Sequence, residues 1–154
     1  MQGFFEGVAQ WGHCGVGVMI KLRGGWYHHG WIGCGLGTNT KAKPIGLWSL
    51  LNFAHGIGID CIQVFGDFKV TIDWISGNSN LHVMILWQQC RRTKETVTVF
   101  DKIDFQHIYR ELNIVVDPLS KKASGGGLQV FAFSNKSETL LWSQRGFVFC
   151  FLFF

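Results

Sequence analysis

The chain lacks the cysteine pattern of a zinc-binding or disulfide-bonded protein. Its five cysteines include no C-x-x-C pair, and their number is odd. Structural zinc sites use cysteine and histidine ligands at short fixed spacings, and disulfide frameworks pair their cysteines. The sequence therefore argues against both, and it predicts a protein of a reducing intracellular compartment, either the nucleus or the cytoplasm.

Long apolar runs are also missing. No apolar stretch approaches the roughly 20 residues that a helix needs to span a bilayer, and no basic segment followed by an apolar run opens the sequence. We therefore expect neither a signal peptide, nor a transmembrane segment, nor a membrane partner. The 154 residues are enough for one domain with a hydrophobic core, and we expect a monomer.

Acidic residues are fewer than basic ones. The chain has 10 Asp and Glu against 14 Lys and Arg. This modest positive excess suits a phosphate-rich partner without requiring one.

The first third of the chain predicts three antiparallel strands. A first strand falls near residues 3–7, and residues 16–22 alternate apolar and other side chains, as a strand with one buried face does. The glycines at 24 and 25 mark a turn, and an aromatic run from Trp26 to Trp31 predicts a third strand. We expect that strand to fray into a loop at the glycines of positions 33, 35 and 37.

The remaining pattern alternates helices with strands. Residues 43–55 predict a buried helix with Pro44 in its first turn, and 60–65 predict a buried strand, parallel to its neighbours. The later elements are a short helix over 68–76, a helix from 81 to about 100, a strand over 105–109 and a helix over 114–123 with Pro118 in its first turn. Within the second of these, the TVTV segment at 96–99 also favours a strand. The order predicts an α/β fold: a five-stranded mixed sheet, three antiparallel strands and then parallel ones, flanked by helices.

We expect a boundary near residue 124. The domain would span 1–123, and 124–154 would form a glycine-rich linker with an aromatic, apolar tail ending in FVFCFLFF. We interpret that tail as a loosely held extension that favours aggregation, and a strand packed back on the core is the alternative.

Three acidic residues lie where their side chains can converge. Glu6 falls on the first strand, Asp67 follows the fourth strand, and Asp117 opens the last helix. Mg²⁺ prefers hard oxygen ligands and takes only one or two from any one element. The pattern is typical of a metal-dependent nuclease core, but where a further carboxylate is needed the chain has GTNTKAK, which contains Lys41 and Lys43 and no acid.

With these positions in view, five stretches carry a resemblance to a known family. They are FFEGVAQ, GVGVMI, GTNTKAK, FGDF and HIYRELNIVVDPLSKKA, and together they extend from about residue 3 to residue 123. Their order and spacing resemble the ribonuclease H type-1 family, in particular the reverse-transcriptase-like ribonuclease H domains of plant genomes and retroelements. The last stretch, with its H-x-x-R-E-x-N spacing ten residues ahead of Asp117, is the most specific.

The resemblance implies a site with four carboxylates and Mg²⁺ that hydrolyses the RNA strand of an RNA–DNA hybrid. Carried over by position, the carboxylates fall on Glu6, Lys43, Asp67 and Asp117, so that Glu6, Asp67 and Asp117 are the implied metal ligands and catalytic acids. His107 matches a mobile histidine that helps the product leave. The residues implied to bind nucleic acid are Asn39, Lys43, Arg110 and Asn113.

Each of these residues also has an ordinary structural explanation. Asp67 suits a turn or a helix N-cap, Asp117 suits the positive end of a helix dipole, and His107 suits a half-buried position on a sheet. A metal site at His28 and His29, near His13, is disfavoured because adjacent strand residues point to opposite faces. Five tryptophans could in principle stack on bases. We expect Trp48, Trp74 and Trp87 to pack on helix core faces instead, whereas Trp26 and Trp31 lie outside the helices.

Three functional hypotheses follow. The leading one is a nucleic-acid-binding domain of retroelement descent whose hybrid-cleaving activity is weakened or lost, because Lys43 brings a cation where a ligand is needed. The second is an active Mg²⁺-dependent ribonuclease that relies on Glu6, Asp67 and Asp117. The third is a retroelement-derived fragment without a selected function.

Overall fold

The computed structural model describes residues 1–78 and 86–125 in full, together with the backbone of 130–134 and 140–142. The strands are β1 (Gln2–Gln10), β2 (His13–Lys21), β3 (Tyr27–Leu36), β4 (Cys61–Gly66), β5 (Lys102–His107), β6 (Val130–Ser134) and β7 (Leu140–Trp142). The helices are α1 (Asn39–Gly56), α2 (Lys69–Ile75), α3 (Trp87–Val97) and α4 (Val116–Ser124).

The predicted mixed sheet is confirmed. β1, β2 and β3 pair antiparallel, and β4 pairs parallel with both β1 and β5, in the spatial order β3-β2-β1-β4-β5. β6 and β7 continue the sheet beyond β3 by antiparallel pairing. Part of the predicted linker and tail therefore adds strands to the sheet, while the FVFCFLFF segment lies outside the described residues.

Two glycines let helices approach the sheet from opposite faces. A Cβ at Gly7 would lie 2.3 Å from the backbone carbonyl of Ala42 on α1, and one at Gly17 would lie 2.3 Å from the carbonyl oxygen of Val116 on α4. Gly17 is the register partner of Glu6 on β1, so both point to the same face, and Gly7 points to the other. The α1 face holds the main hydrophobic core, in which Phe5 and Leu47 are fully buried.

Several boundaries differ from the expectations. β3 does not fray at its glycines: Gly33 and Gly35 pair with β2, across a β-bulge. α1 begins at Asn39 because the Thr38 side chain accepts a hydrogen bond from Lys41 N, and Pro44 therefore lies inside the helix rather than in its first turn. Pro118 lies in the first turn of α4, as predicted.

The second half differs in smaller ways. β5 begins three residues earlier than predicted, and α3 occupies only part of the helical stretch predicted over 81–100, of which 81–85 lie outside the described residues. Trp48 and Trp74 are buried as expected, but the expectation for Trp87 is wrong, because 61% of it is exposed at the start of α3. No helix within the described part of the chain combines the length and the hydrophobicity that crossing a bilayer requires.

Candidate functional site

Four predicted positions occupy the elements assigned to them. Glu6 lies on β1, Lys43 lies on α1, Asp67 follows the last residue of β4, and Asp117 lies in the first turn of α4. Phe4 on β1 and Phe65 on β4 are register partners in parallel strands. Glu6 and Asp67 each follow two residues later, so they lie opposite each other. The parallel pairing of two strands thus sets the two carboxylates side by side.

Lys43 lies between these two carboxylates. Its Nζ is 2.8 Å from Glu6 Oε1 and 3.3 Å from Asp67 Oδ1. The carboxylate side chains are only 4% and 8% exposed, whereas that of Lys43 is 21% exposed. The ammonium also lies 5.3 Å from the centre of the Phe68 ring, within the range of a cation–π contact.

The environment of Glu6 disfavours its charged form. Burial raises the pKa of Glu6 above its ordinary value, the nearby Asp67 raises it further, and Lys43 opposes both effects. Glu6 Oε1 also accepts a hydrogen bond from Gly7 N at 2.9 Å, while Oε2 is buried and accepts none from the described residues. The ammonium of Lys43 is therefore the main partner that permits a charged Glu6 at this depth.

Asp117 is neutralised by cations of its own. Arg110 Nη2 lies 3.3 Å from Asp117 Oδ1, and Lys121 Nζ bonds the other carboxylate oxygen. Partial burial would raise the pKa of Asp117, but the hydrogen bonds from Lys121 and Arg110 outweigh it and hold that pKa below the ordinary value. Sequence reasoning missed Lys121, although its four-residue spacing from Asp117 on a helix was a readable signal.

The segment between β5 and α4 is hydrogen-bonded to the end of the sheet that carries Glu6 and Asp67. Asn113 is 1% exposed, and its Nδ2 donates to the backbone oxygen of Phe5 at 2.9 Å. His107 is half-buried at the end of β5, with Nε2 3.2 Å from the backbone oxygen of Asp67. The Asn113 amide therefore holds the β5–α4 segment against β1. A contact of Asn113 with nucleic acid stays a prediction.

Asn39 also has a structural contact. It opens α1, and its Oδ1 accepts a hydrogen bond from Ala9 N at 2.7 Å, which ties the helix start to the end of β1. Asn39 is nevertheless an exposed residue. The side chains of Lys43 and Arg110 are 21% and 67% exposed, so of the four predicted nucleic-acid-binding residues only Asn113 is buried.

The residues present do not fit the Mg²⁺ that the resemblance implies. Mg²⁺ requires near-octahedral oxygen ligands about 2.0–2.1 Å away, but the Lys43 ammonium already lies between Glu6 and Asp67. An ion there would have to displace a cation tethered to α1. Within the described residues, no group of three or more His, Cys, Asp or Glu side chains is placed to hold a metal, and this includes His28 and His29.

Comparison with known proteins agrees with this arrangement of elements. The model of the family described as reverse transcriptase-like matches residues 5–123. The structure is similar to RNase H1 from the archaeon Halobacterium salinarum, with a TM-score of 0.75 and 25% identity over 79% of this chain and 95% of that one.

Two further solved structures share the fold. LC11-RNase H1, isolated from compost by a metagenomic approach and solved in complex with an RNA/DNA hybrid, matches with a TM-score of 0.74 and 21% identity, covering 80% of this chain and 96% of that one. The N-terminal RNase H domain of a Mycobacterium tuberculosis protein matches with a TM-score of 0.73 and 20% identity, covering 80% and 94%. No curated protein matches the chain significantly. The family match over residues 5–123 and the RNase H1 fold together identify the chain as a member of the ribonuclease H type-1 family, of the reverse transcriptase-like branch.

Proposed function

We propose that the chain is a ribonuclease H-like domain that binds RNA–DNA hybrid and whose cleavage activity is weakened or lost. The observation that carries the proposal is the position of Lys43 Nζ, 2.8 Å from Glu6 and 3.3 Å from Asp67. A tethered ammonium lies where a two-metal mechanism needs an ion. We infer a retroelement origin from the family, and an intracellular monomer from the sequence.

The loss of cleavage follows from charge. Two-metal phosphate hydrolysis depends on ions about 4 Å apart that stabilise both the attacking and the leaving oxygen. Here Glu6 and Asp67 share Lys43, and Asp117 is paired with Arg110 and Lys121. The three acids face three cations, so little negative potential remains to attract Mg²⁺. Glu6 is also one methylene longer than an aspartate at that position, which shifts its oxygens in a site that depends on accurate placement.

Retention of binding follows from the same neutralisation. A site of bare carboxylates repels a phosphate backbone, whereas Lys43 and Arg110 cancel that charge and keep exposed surface of their own. Lysine and arginine contacts to phosphates release counterions, and the resulting affinity falls with salt. Binding then needs no metal.

The test uses the full chain, because β6 pairs with β3 and truncation at residue 123 would remove it. Binding of a blunt RNA–DNA hybrid is measured by fluorescence anisotropy in EDTA at several salt concentrations. We expect affinity to fall steeply with salt, and we expect Lys43→Met to weaken binding and to reduce the salt slope by about one. Lys102→Met is the matched control, because Lys102 is an exposed lysine at the start of β5, whereas His107, beside the site, lies at its end.

Two outcomes would contradict the proposal. Absence of salt-sensitive binding in EDTA would favour a fragment without a selected function. Cleavage of the hybrid by the unmodified chain in Mg²⁺ or Mn²⁺, at a rate that Lys43→Glu does not increase, would favour the active enzyme.

A further inference from the structure

The tip of the β1–β2 hairpin presents an exposed and strained tryptophan. Gln10 and His13 are register partners, so Trp11 and Gly12 form a two-residue turn, with φ of 53° and 80°. Positive φ at both positions is typical of a type I′ turn, which favours Asn, Asp or Gly. Among the described non-glycine residues only Trp11 has positive φ, and it is 99% exposed.

Folding alone does not explain a tryptophan here. A bulky residue in the left-handed region is strained, and at 99% exposure its ring gains almost no burial in return. Asparagine or glycine would form the same turn with less strain. Strain that the fold does not compensate is a reason to look for a ligand.

The hairpin tip is fixed relative to the proposed site. Gly12 O accepts a hydrogen bond from Gly37 N at 2.9 Å, and Asn39 Oδ1 accepts one from Ala9 N at 2.7 Å. Both bonds tie the tip to the segment that leads into α1, and Lys43 lies one turn further along that helix. β1 continues from Glu6 to Gln10, and Trp11 follows in the turn, so its backbone lies at most about 17 Å from that of Glu6.

We propose that Trp11 is a stacking platform for an unpaired nucleotide that extends from the hybrid bound at Lys43, and this inference rests on the proposed function. Bases inside a duplex stack on each other and show only their edges to a protein. A single-stranded base offers its flat face, on which an indole ring can stack. A separation of at most about 17 Å corresponds to at most roughly five nucleotides at about 3.4 Å each, so the ligand is a hybrid with a single-stranded overhang.

The test compares a blunt hybrid with hybrids that carry an overhang of about six nucleotides at each of the four strand ends, using the full chain in EDTA. We expect at least one overhang to tighten binding by roughly 5- to 150-fold, the range for stacking one base. Trp11→Asn should remove that gain and leave the blunt hybrid unaffected. Trp11→Phe should retain most of it. Trp26→Ala should retain all of it, because Trp26 lies in the connection between β2 and β3, at the end of the hairpin away from Trp11.

Thermal stability provides a second measurement. If Trp11 had only a structural role, its replacement would lower stability and binding together, whereas a binding role predicts higher stability with weaker binding. Asn suits the turn, so Trp11→Asn should raise the unfolding midpoint by roughly 3–8 °C while it lowers affinity for the overhang. If overhangs add nothing, or if Trp11→Asn binds them as tightly as the parent, the inference fails although the blunt hybrid still binds. If the parent binds neither ligand, the proposed function fails with it.

Discussion

Replacing Lys43 with methionine should destabilise the folded chain far more than the loss of an exposed lysine does. Methionine keeps most of the volume of the side chain and removes its charge. Glu6 and Asp67, with side chains 4% and 8% exposed, would then face each other without the cation between them. Removing one partner of a buried ion pair is costly because it leaves an uncompensated buried charge.

The distances set the scale of the effect. At an effective dielectric constant of about 20, unit charges 2.8 Å apart attract by roughly 6 kcal/mol, and charges 3.3 Å apart by roughly 5 kcal/mol. Much of this attraction is offset by the cost of desolvating the ammonium, and Lys43 is 21% exposed. We therefore expect a net loss of about 2–4 kcal/mol at neutral pH.

The effect should also depend on pH. Because the pKa of Glu6 is raised above 4.5, the folded state holds a proton that the unfolded state releases, and stability falls as pH rises through the folded pKa. Lys43 opposes that rise in pKa, so Lys43→Met should raise the folded pKa of Glu6 further. The pH range above 4.5 over which stability falls should therefore become wider. The destabilisation should shrink as pH falls toward 4.5.

Urea denaturation of the full chain in EDTA measures this prediction. Lys69→Met is the control, because Lys69 pairs with Asp73 on α2 but is 67% exposed, and it should cost less than about 1 kcal/mol. Glu6→Gln in the Lys43→Met background should recover part of the loss. A loss from Lys43→Met no larger than that of the control, or one independent of pH, would refute the reasoning.

Three further predictions concern other parts of the structure. Gly7→Ala places a Cβ 2.3 Å from the backbone of Ala42, so α1 must shift, and urea denaturation should show a loss of roughly 3 kcal/mol or more; a loss below 1 kcal/mol would mean that the helix moves at little cost. Alkylation near pH 8 followed by mass spectrometry should modify the exposed Cys61 well before the half-buried Cys34, whose pKa is raised to about 12 mainly by burial; faster labelling of Cys34 would contradict this. Asp117 has a lowered pKa, so its stabilising contribution is present above about 3.8 and lost below that; Asp117→Asn should therefore be less stable than the parent at neutral pH and equally stable in strong acid, whereas a difference that persists in acid would exclude a charge effect.

The sequence predicted the order of elements well where local pattern and tertiary structure agree. The apolar run of β4 matches a strand of the predicted type. The alternation in β2 correctly predicted a strand, but the expectation of one buried face was wrong, because α1 and α4 cover opposite faces and bury every residue from Cys14 to Ile20. The prediction failed where strand pairing outweighed the local sequence. The glycines of β3 favoured a loop, but Gly33 and Gly35 pair with β2 and the strand continues through them. The start of α1 was predicted four residues too late, at 43 instead of Asn39, although Thr38 is a favoured N-cap residue and gave a local signal for it.

Some features of the candidate site were likewise predictable from local sequence, and others depend on tertiary contacts. The element that carries each acid was predictable from motif spacing, and so was a cation at position 43. The pairing of Arg110 with Asp117 depends on side-chain orientation across the β5–α4 segment. The burial of Asn113 depends on a contact with Phe5, 108 residues away in sequence, which no local pattern encodes.

The central claim is that the ammonium of Lys43 replaces a divalent cation between Glu6 and Asp67. Titration calorimetry with Mg²⁺ and Mn²⁺ tests it most directly, on the full chain and on Lys43→Glu with and without Glu6→Asp. The account predicts no saturable metal binding to the parent, measurable binding to Lys43→Glu, and tighter binding together with hybrid cleavage in the double variant. Saturable Mg²⁺ binding to the parent that Glu6→Gln abolishes would contradict it.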